Sequence, residues 1–245
     1  MSLNYNGEEL NIPRSIAIIL DGNGRYAKKN NLPVSLGHKA GCDRLDEILE
    51  ECVRIGIEYI TVYAFSTENW KRSESEINSL FQLFNLYLPR VSDKAVKNGI
   101  KISFIGDLTK FPKSIQDSCE KVKEMTKDNN KSNFIVAFNY GGRDEIIRTT
   151  KKIIKDYNDG IIKIDDITEV TYKNYLDTKD IPDPDLLIRT SGEIRLSNFL
   201  LYQIAYSEIY ITDVLWPEFT KEELYKAIYS YNKRDRRYGK RKEEQ

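Results

Sequence analysis

Short apolar runs alternate with amphipathic stretches along the chain, and most of the runs end at glycines and polar residues. The first run, residues 16–20, contains three isoleucines and is typical of a buried strand in a parallel sheet. Similar runs predict further strands at residues 59–65, 101–105, 134–140, 185–188 and 208–213. Because strands alternate with predicted helices and no linker interrupts them, we expect a single α/β domain over residues 1–245. Its core would be a central, mostly parallel sheet of about six strands flanked by helices.

Apolar residues at spacings of three and four predict the helices. Residues 32–41 contain three helix-breaking residues, Pro33, Gly37 and Gly41, so we predict a loop there and a helix after it. The helix predicted from about residue 74 to residue 97 has an apolar face wider than one packing contact requires, and it could line a cavity for an apolar ligand.

A further helix is predicted after the fourth strand. The two ends of the chain lie outside the alternation of strands and helices. In that helix the residues expected to face inward are Ile146, Ile147, Thr150, Ile153 and Ile154. Residues 1–14 form an N-terminal arm, and residues 234–245 form a basic C-terminal tail. From the residues alone, a solvated end is the expected structure of that tail.

Composition narrows the class of protein. The 38 basic and 38 acidic residues cancel, so nothing in the overall charge indicates a nucleic-acid partner. The three cysteines are far apart in the sequence, which fits free thiols in a reducing cytosol. Neither a signal peptide nor an apolar run of bilayer length is present, so we expect a cytoplasmic protein, with peripheral membrane contact left open.

Three of the predicted strands end in polar clusters, at residues 21–25, 66–72 and 189–197. Each cluster alone could be a tight turn or a helix cap. Because the carboxyl ends of parallel strands share one edge of a sheet, we expect the three clusters to form one cleft that contains four arginines. Arginines in this number suggest diphosphates, and nearby carboxylates suggest Mg²⁺.

His38 is the single histidine of the chain and follows the first cluster closely in the sequence. Its side chain could contact a ligand or have a structural role. The sequence offers no catalytic Ser–His–Asp order, no Cys–His pair and no P-loop lysine. The residues alone therefore predict a Mg²⁺-assisted enzyme that acts on phosphorylated substrates. The apolar cavity suggested by the helix at residues 74–97 indicates that these substrates also carry an apolar part.

Six segments carry a resemblance that extends this prediction: IAIILDGNGRYAK, GHKAG, YAFSTENWKR, FNYGGR, LIRTSGEIRLSNFLLYQIAYSE and TDVLWPEF. Together they resemble the cis-prenyltransferases, and among these most closely the bacterial undecaprenyl diphosphate synthases, in order and spacing over residues 16–239. The resemblance implies an α/β domain with an apolar tunnel. It also implies that isopentenyl diphosphate is condensed onto an allylic diphosphate such as farnesyl diphosphate, with Mg²⁺ as cofactor, in a homodimer.

The resemblance also assigns site residues. Asp21 would be the central catalytic residue and bind Mg²⁺, Asn69 would help to remove a proton from isopentenyl diphosphate, and Glu208 would be a second metal-linked carboxylate. The remaining substrate-binding residues would be Gly22, Asn23, Gly24, Arg25, Tyr26, His38, Ser66, Thr67, Glu68, Trp70, Arg72, Arg189, Arg195, Leu196 and Ser197. In homologues a C-terminal Arg-x-Gly, here Arg237-Tyr238-Gly239, reaches the active-site region.

Four positions depart from the pattern of that family. Ser15 and Ile194 replace histidines, Tyr26 replaces a tryptophan, and Val34 replaces an arginine that helps to bind the allylic diphosphate. Ala64 is small, as in members that make long chains. Val34 and Ile194 motivate an alternative function, a specialised branched or cyclising prenyl diphosphate synthase. A non-catalytic partner subunit is the alternative from a different class.

Overall fold

The computed structural model describes residues 3–234. In this part of the chain the strands are β1 (Leu3–Tyr5), β2 (Glu8–Leu10), β3 (Ser15–Ile19), β4 (Tyr59–Ser66), β5 (Ile100–Ile105), β6 (Ser132–Tyr140), β7 (Leu186–Arg189) and β8 (Glu208–Ile211). The α-helices are α1 (Asn23–Lys29), α2 (Val34–Ile55), α3 (Glu74–Asn98), α4 (Lys113–Thr126), α5 (Gly142–Asn158), α6 (Glu169–Lys173) and α7 (Lys221–Asn232). None of the described helices is both long and apolar enough to cross a membrane.

The central sheet has the strand order β5-β6-β4-β3-β7-β8, and all of its pairings are parallel. This confirms the predicted six-stranded α/β domain. β3 lies in the middle of the sheet and is buried along its whole length, which explains the apolar run of residues 16–19. The sheet thus places the end of β3 beside the ends of β4 and β7.

The two faces of β3 pack into two separate parts of the core. Ile16 and Ile18 belong to the larger cluster, which contains buried residues of α2, α3, α4 and α7. Ala17 and Ile19 point to the other face and belong to the smaller cluster. The alternation follows from the two-residue period of a strand, and it leaves the strand ends as the place for polar chemistry.

The N-terminal arm is a hairpin of β1 and β2, which the sequence pattern did not predict because each strand has only three residues. Tyr5 packs edge-on against Tyr225 and Tyr229 of α7, and its hydroxyl donates to Glu222 over 2.7 Å. Most of the predicted basic tail, residues 235–245 with its Arg-x-Gly, lies outside the described residues.

The predicted loop at residues 32–41 is wrong, because helix α2 already begins at Val34 and includes Gly37 and Gly41. A Cβ on Gly37 would lie 2.9 Å from the Cβ of Ala27, and one on Gly41 would overlap the side-chain oxygen of Asn23. The glycines therefore allow α1 and α2 to approach closely and do not mark a turn.

The predicted inward face of α5 is also largely wrong. Ile153 is buried, but Ile147 and Ile154 are 55% and 53% exposed, and Thr150 is exposed as well. The buried positions of this helix are Gly142, Glu145, Thr149 and Ile153.

Glu145 can be buried in α5 because its carboxylate accepts three hydrogen bonds, two of them from distant parts of the chain. It accepts hydrogen bonds from the Tyr140 hydroxyl at 2.6 Å, from Gln203 Nε2 at 2.9 Å and from the Asp177 N–H at 2.9 Å. A satisfied polar group can occupy a position that a hydrophobicity pattern reserves for an apolar one.

Candidate active site

The first cluster is a tight turn between β3 and α1. Gly22 has a φ of 110°, and a Cβ there would lie 2.9 Å from Ser191 Oγ and 3.1 Å from Leu215. Both the backbone conformation and the lack of space therefore require glycine at this position. The N–H of Asp21 donates to Thr190 Oγ1 over 3.0 Å, which ties this turn to the end of β7.

Two arginines converge on the carboxylate of Asp21. Arg189 Nη2 lies 2.9 Å from Asp21 Oδ2, and Arg25 Nη2 lies 3.2 Å from Oδ1. Arg189 is 4% exposed, so the Asp21 carboxylate compensates a buried charge, whereas Arg25 is more accessible. Arg189 Nη1 also donates to Ser197 Oγ over 2.7 Å and to the carbonyl of Arg195, while its buried Nε has no partner.

Glu193 is a further charged residue of this site that sequence reasoning did not assign. Its Oε1 lies 3.0 Å from Arg25 Nη1, and its Oε2 pairs with Arg195. Ser191, another unassigned residue, accepts a hydrogen bond from Arg25 at its carbonyl oxygen over 2.9 Å. Both lie within the third polar cluster, so their position between Arg189 and Arg195 was the available signal. Around the turn after β3, three arginines thus alternate with two carboxylates, in the order Arg189, Asp21, Arg25, Glu193, Arg195.

The second cluster forms a 3-10 turn, Thr67–Lys71, after β4. Ser66 N–H donates to Asn69 Oδ1 over 3.0 Å, which fixes the Asn69 amide at the start of the turn. Trp70 is turned away into an aromatic cluster: its ring lies 5.2 Å from that of Phe65, and its Nε1 donates to Asn139 over 2.8 Å.

A single cavity joins the three clusters. The predicted site residues that line it are Asp21, Asn23, His38, Ser66, Asn69, Arg72, Arg189 and Ser197. The predicted site residues that do not line it are Gly22, Gly24, Arg25, Tyr26, Thr67, Glu68, Trp70, Arg195, Leu196 and Glu208. Three of the residues outside the lining still contact it. Gly22 lies next to Asp21 in the turn, and Arg25 pairs with Asp21. The carbonyl of Arg195 accepts a hydrogen bond from Arg189.

His38 lies on α2 at the polar end of the cavity. Its Nε2 is buried without a hydrogen-bond partner, and Glu76 Oε1 is 3.8 Å away. Burial lowers the pKa of His38 and the positive charge of Arg72 lowers it further, while Glu76 partly opposes both effects. The imidazole is therefore neutral at pH 7, and its unpartnered nitrogen is available to a ligand.

The whole cavity has a volume of about 250 Å³, and away from its charged end it runs between α2, α3 and the sheet with a mostly apolar wall. Its wall includes Leu45, Val62, Ala64, Leu80, Leu83, Phe84, Tyr87, Leu88, Val91, Ile102, Phe134, Val136 and Phe138. A charged end joined to an apolar interior fits an amphiphile with an anionic head group and a hydrocarbon chain.

Asp21 is the carboxylate that lines this cavity, and in the described part of the chain no group of three His, Cys, Asp or Glu side chains could hold a metal by itself. Mg²⁺ is commonly held by one or two carboxylates together with phosphate oxygens of the substrate and waters. The site therefore fits Mg²⁺ that arrives with a diphosphate and does not fit a preformed metal cage.

Glu208, the second carboxylate that the resemblance links to a metal, does not line this cavity. It pairs with Leu186 at the first residue of β7, whereas Arg189, which contacts Asp21, pairs with Ile211 at the other end of β8. Glu208 therefore lies near the amino end of its strand, with Arg234 Nε 4.0 Å away. The role of Glu208 as a second metal-linked carboxylate stays a prediction, and within one chain its position at the start of β8 sets it apart from Asp21.

The fold and the cavity fit a class of protein: α/β proteins that bind amphiphiles with an anionic head group. The sequence profile of the family described as "Putative undecaprenyl diphosphate synthase" matches residues 19–239, and the chain belongs to this prenyltransferase family.

Known proteins similar to this chain include enzymes and solved structures. The isoprenyl transferase of Clostridium perfringens is 50% identical over 228 residues, which cover 93% of this chain and 90% of that protein. A crystal structure of lavandulyl diphosphate synthase from Lavandula x intermedia, in complex with dimethylallyl diphosphate, superposes with a TM-score of 0.91 at 35% identity and covers 94% of this chain and 99% of that one. The crystal structure of a probable undecaprenyl diphosphate synthase from Campylobacter jejuni gives a TM-score of 0.79 at 32% identity, covering 94% and 100%.

Proposed function

We propose that this protein condenses isopentenyl diphosphate with an allylic diphosphate, such as farnesyl diphosphate, and forms a cis-polyprenyl diphosphate. The observation that carries this function is the cavity, in which Asp21 and Arg189 stand at one end of an apolar interior between α2 and α3, with Arg25 paired to Asp21 beside it. Membership of the prenyltransferase family and the name isoprenyl transferase of its relatives support the same reaction.

The reaction needs an anionic leaving group to be stabilised. The allylic C–O bond breaks, diphosphate leaves with the electron pair, the double bond of isopentenyl diphosphate attacks the allylic carbon, and a proton is lost. Asp21 would hold Mg²⁺, which would supply positive charge against the negative charge that builds up on the leaving group. Arg25 would clamp the allylic diphosphate, and Arg189 with Ser197 would hold isopentenyl diphosphate.

The remaining residues of the cavity orient the reactants and exclude water. Asn69 is held by Ser66 beside the cavity, where its amide can assist removal of the proton. The apolar wall keeps the cationic carbon away from water, and a growing chain would extend along this wall as a tunnel.

A branched or cyclising prenyl diphosphate synthase is the second candidate. Val34 and Ile194 motivate it, and both side chains are exposed, at 47% and 84%. The structural likeness to lavandulyl diphosphate synthase shows that the fold alone does not separate the two reactions. The higher identity to isoprenyl transferases favours regular elongation. A non-catalytic partner subunit is disfavoured because the Asp21–Arg25 turn is complete.

We also propose that the protein acts as a homodimer in the cytoplasm, contacts the membrane through its lipid product and supplies a lipid carrier for the cell wall. Support for the dimer comes from exposed apolar side chains. β8 is an edge strand with Ile209 44% exposed, and Ile147 and Ile154 of α5 are more than half exposed. A second copy of the chain would cover such surfaces.

Incubation with labelled isopentenyl diphosphate, an allylic primer and Mg²⁺ tests the proposed reaction. We expect products several isoprene units longer than the primer, loss of activity with a chelator, and cis double bonds in the product by NMR. Absence of extended products with every allylic primer tried would contradict the proposal. Branched or cyclic products would support the second candidate.

A further inference from the structure

Tyr87 on α3 lines the apolar part of the cavity and carries a polar group, its hydroxyl. The hydroxyl donates to Asp46 Oδ1 on α2 over 2.8 Å, while the ring forms part of the cavity wall. Tyr87 thereby connects the two helices between which the cavity runs. Burial raises the pKa of Tyr87 well above its usual value, and the charge of Asp46 raises it further, so the phenol remains a neutral donor.

Asp46 is held in turn by two cations of α3. It is 4% exposed, and its Oδ2 lies 2.8 Å from Arg90 Nη2 and 2.8 Å from Lys94 Nζ. Arg90 also pairs with Asp43 at 3.0 Å. Tyr87, Arg90 and Lys94 recur at spacings of three and four, so they form one stripe of α3 that faces the acidic residues of α2.

The contacts of Asp46 with Tyr87, Arg90 and Lys94 fix the position of the Tyr87 ring more than they add to the stability of the fold. A buried ion pair gains little net free energy over well-packed apolar residues, whereas the loss of one partner leaves an uncompensated charge. Loss of any one of the three donors therefore leaves the buried charge of Asp46 less compensated. Their joint effect is to hold the Tyr87 ring in one place and to keep α2 and α3 at a set separation.

The position of Tyr87 along α3 places it well inside the cavity. Glu76, next to His38 at the charged end, precedes Tyr87 by eleven residues, which corresponds to roughly 16 Å along a helix. Leu88 and Val91 line the cavity beyond that point, and each is 2% exposed. At about 250 Å³ the cavity is smaller than most ligand pockets, so a lengthening hydrocarbon chain has to displace its walls.

We propose that Tyr87, held by Asp46, is a specificity-determining residue that limits the number of isoprene units added to the growing chain. This inference rests on the proposed function. An apolar chain that reaches the ring meets a wall fixed to both helices, because movement of the ring breaks the hydrogen bond to Asp46. Further growth then requires the α2–α3 contact to open, and release of the product competes with it.

The test is the distribution of product lengths at saturating isopentenyl diphosphate. Tyr87→Ala and Tyr87→Leu remove the ring, and we expect both to shift the main product to a greater length by at least one isoprene unit. Tyr87→Phe retains the ring without the hydrogen bond, so we expect a broader distribution with a smaller shift. Asp46→Asn retains an acceptor but loses the charge that pairs with Arg90 and Lys94, and it should behave as Tyr87→Phe does.

Leu86→Ala is the matched control, because Leu86 neighbours Tyr87 on α3 but is 76% exposed. It should leave the product length unchanged. If the folded Tyr87 variants give the same product lengths as the wild-type protein and lose only thermal stability, the cluster is purely structural and the inference is wrong. If the wild-type protein forms no extended product, the proposed function fails instead.

Discussion

Arg189 is the buried cation of the site, and its guanidinium joins the first and third strand-end clusters. One nitrogen contacts Asp21 and another contacts Ser197 and the Arg195 carbonyl. Lysine would retain the charge but has a single nitrogen, which cannot reach both directions at once.

For Arg189→Lys we expect a rise in KM for isopentenyl diphosphate. Loss of one charge-assisted hydrogen bond costs about 1.5–3 kcal/mol, which corresponds to roughly 10- to 100-fold in affinity. Arg14→Lys is the control, because Arg14 forms an exposed pair with Glu58. Steady-state kinetics of both variants measure the effect, and an unchanged KM in Arg189→Lys would remove this residue from substrate binding.

His38 carries a testable dependence of stability on pH. Its pKa in the folded protein is lowered from 6.5, mainly by burial, so the unfolded chain takes up a proton first as the pH falls. The free energy of unfolding should therefore decrease as the pH falls through about 6.5. Denaturant titrations at pH 7.5 and pH 5.5 should show a larger loss for the wild-type protein than for His38→Asn. Equal losses would show that the imidazole does not resist protonation in the fold.

At the residue scale, sequence reasoning named eight of the residues that line the cavity but missed some of their charged partners. Asp21, Asn69 and Arg189 were predicted, because they follow buried strands directly. Glu193 was missed, since a carboxylate between two arginines reads equally well as a surface residue. Glu208 stands at the first residue of β8, opposite the first residue of β7, and its link to a metal stays a prediction.

At the scale of elements, the contact between α1 and α2 shapes the turn between β3 and α1. Gly41 allows the side chain of Asn23 and the ring of Trp216 to approach the axis of α2. A pattern search reads two glycines near a proline as a loop, because the close approach that requires them comes from a different helix. The apolar strands were predicted correctly because their burial is visible in their own sequence.

Gly41→Ala should destabilise the fold by about 1–3 kcal/mol, because its Cβ would overlap Asn23 and overpack the contact. We also expect weaker binding of the allylic primer, since α1 carries the turn that follows Asp21. Gly24→Ala is the control for stability: nothing lies within 4 Å of a Cβ there, so it should gain about 0.5–1 kcal/mol. Thermal denaturation compares the two, and a Gly41→Ala protein as stable as Gly24→Ala would contradict the close packing.

At the scale of the whole molecule, the sheet and its two-sided core were predictable from alternation alone, whereas the exposed apolar surfaces were not. The pattern of α5 assigned its isoleucines to the core of the same chain, and the structure leaves two of them exposed. Their cover is proposed to be a second copy of the chain, and a single sequence does not distinguish an internal from an external partner.

Light scattering coupled to size exclusion should give twice the chain mass for the wild-type protein. Ile209→Asp would place a charge on the edge strand β8, and we expect it to shift the equilibrium toward the monomer. Val96→Asp is the matched control, because Val96 is exposed to a similar extent on α3, and it should remain dimeric. A monomeric wild-type protein, or a dimer indifferent to Ile209→Asp, would contradict the proposed interface.

The central claim is that prenyl transfer takes place at the turn after β3, with Asp21 at its centre. Its most direct test is the rate at which labelled isopentenyl units are incorporated onto an allylic primer by the wild-type protein, Asp21→Asn and Asp117→Asn. Asp117 is an exposed carboxylate on α4 paired with Lys113, so its variant should retain the wild-type rate. Asp21→Asn retains an oxygen for Arg189 but loses the charge, and we expect a loss of roughly 100-fold or more. A folded Asp21→Asn protein with the wild-type rate would contradict the account.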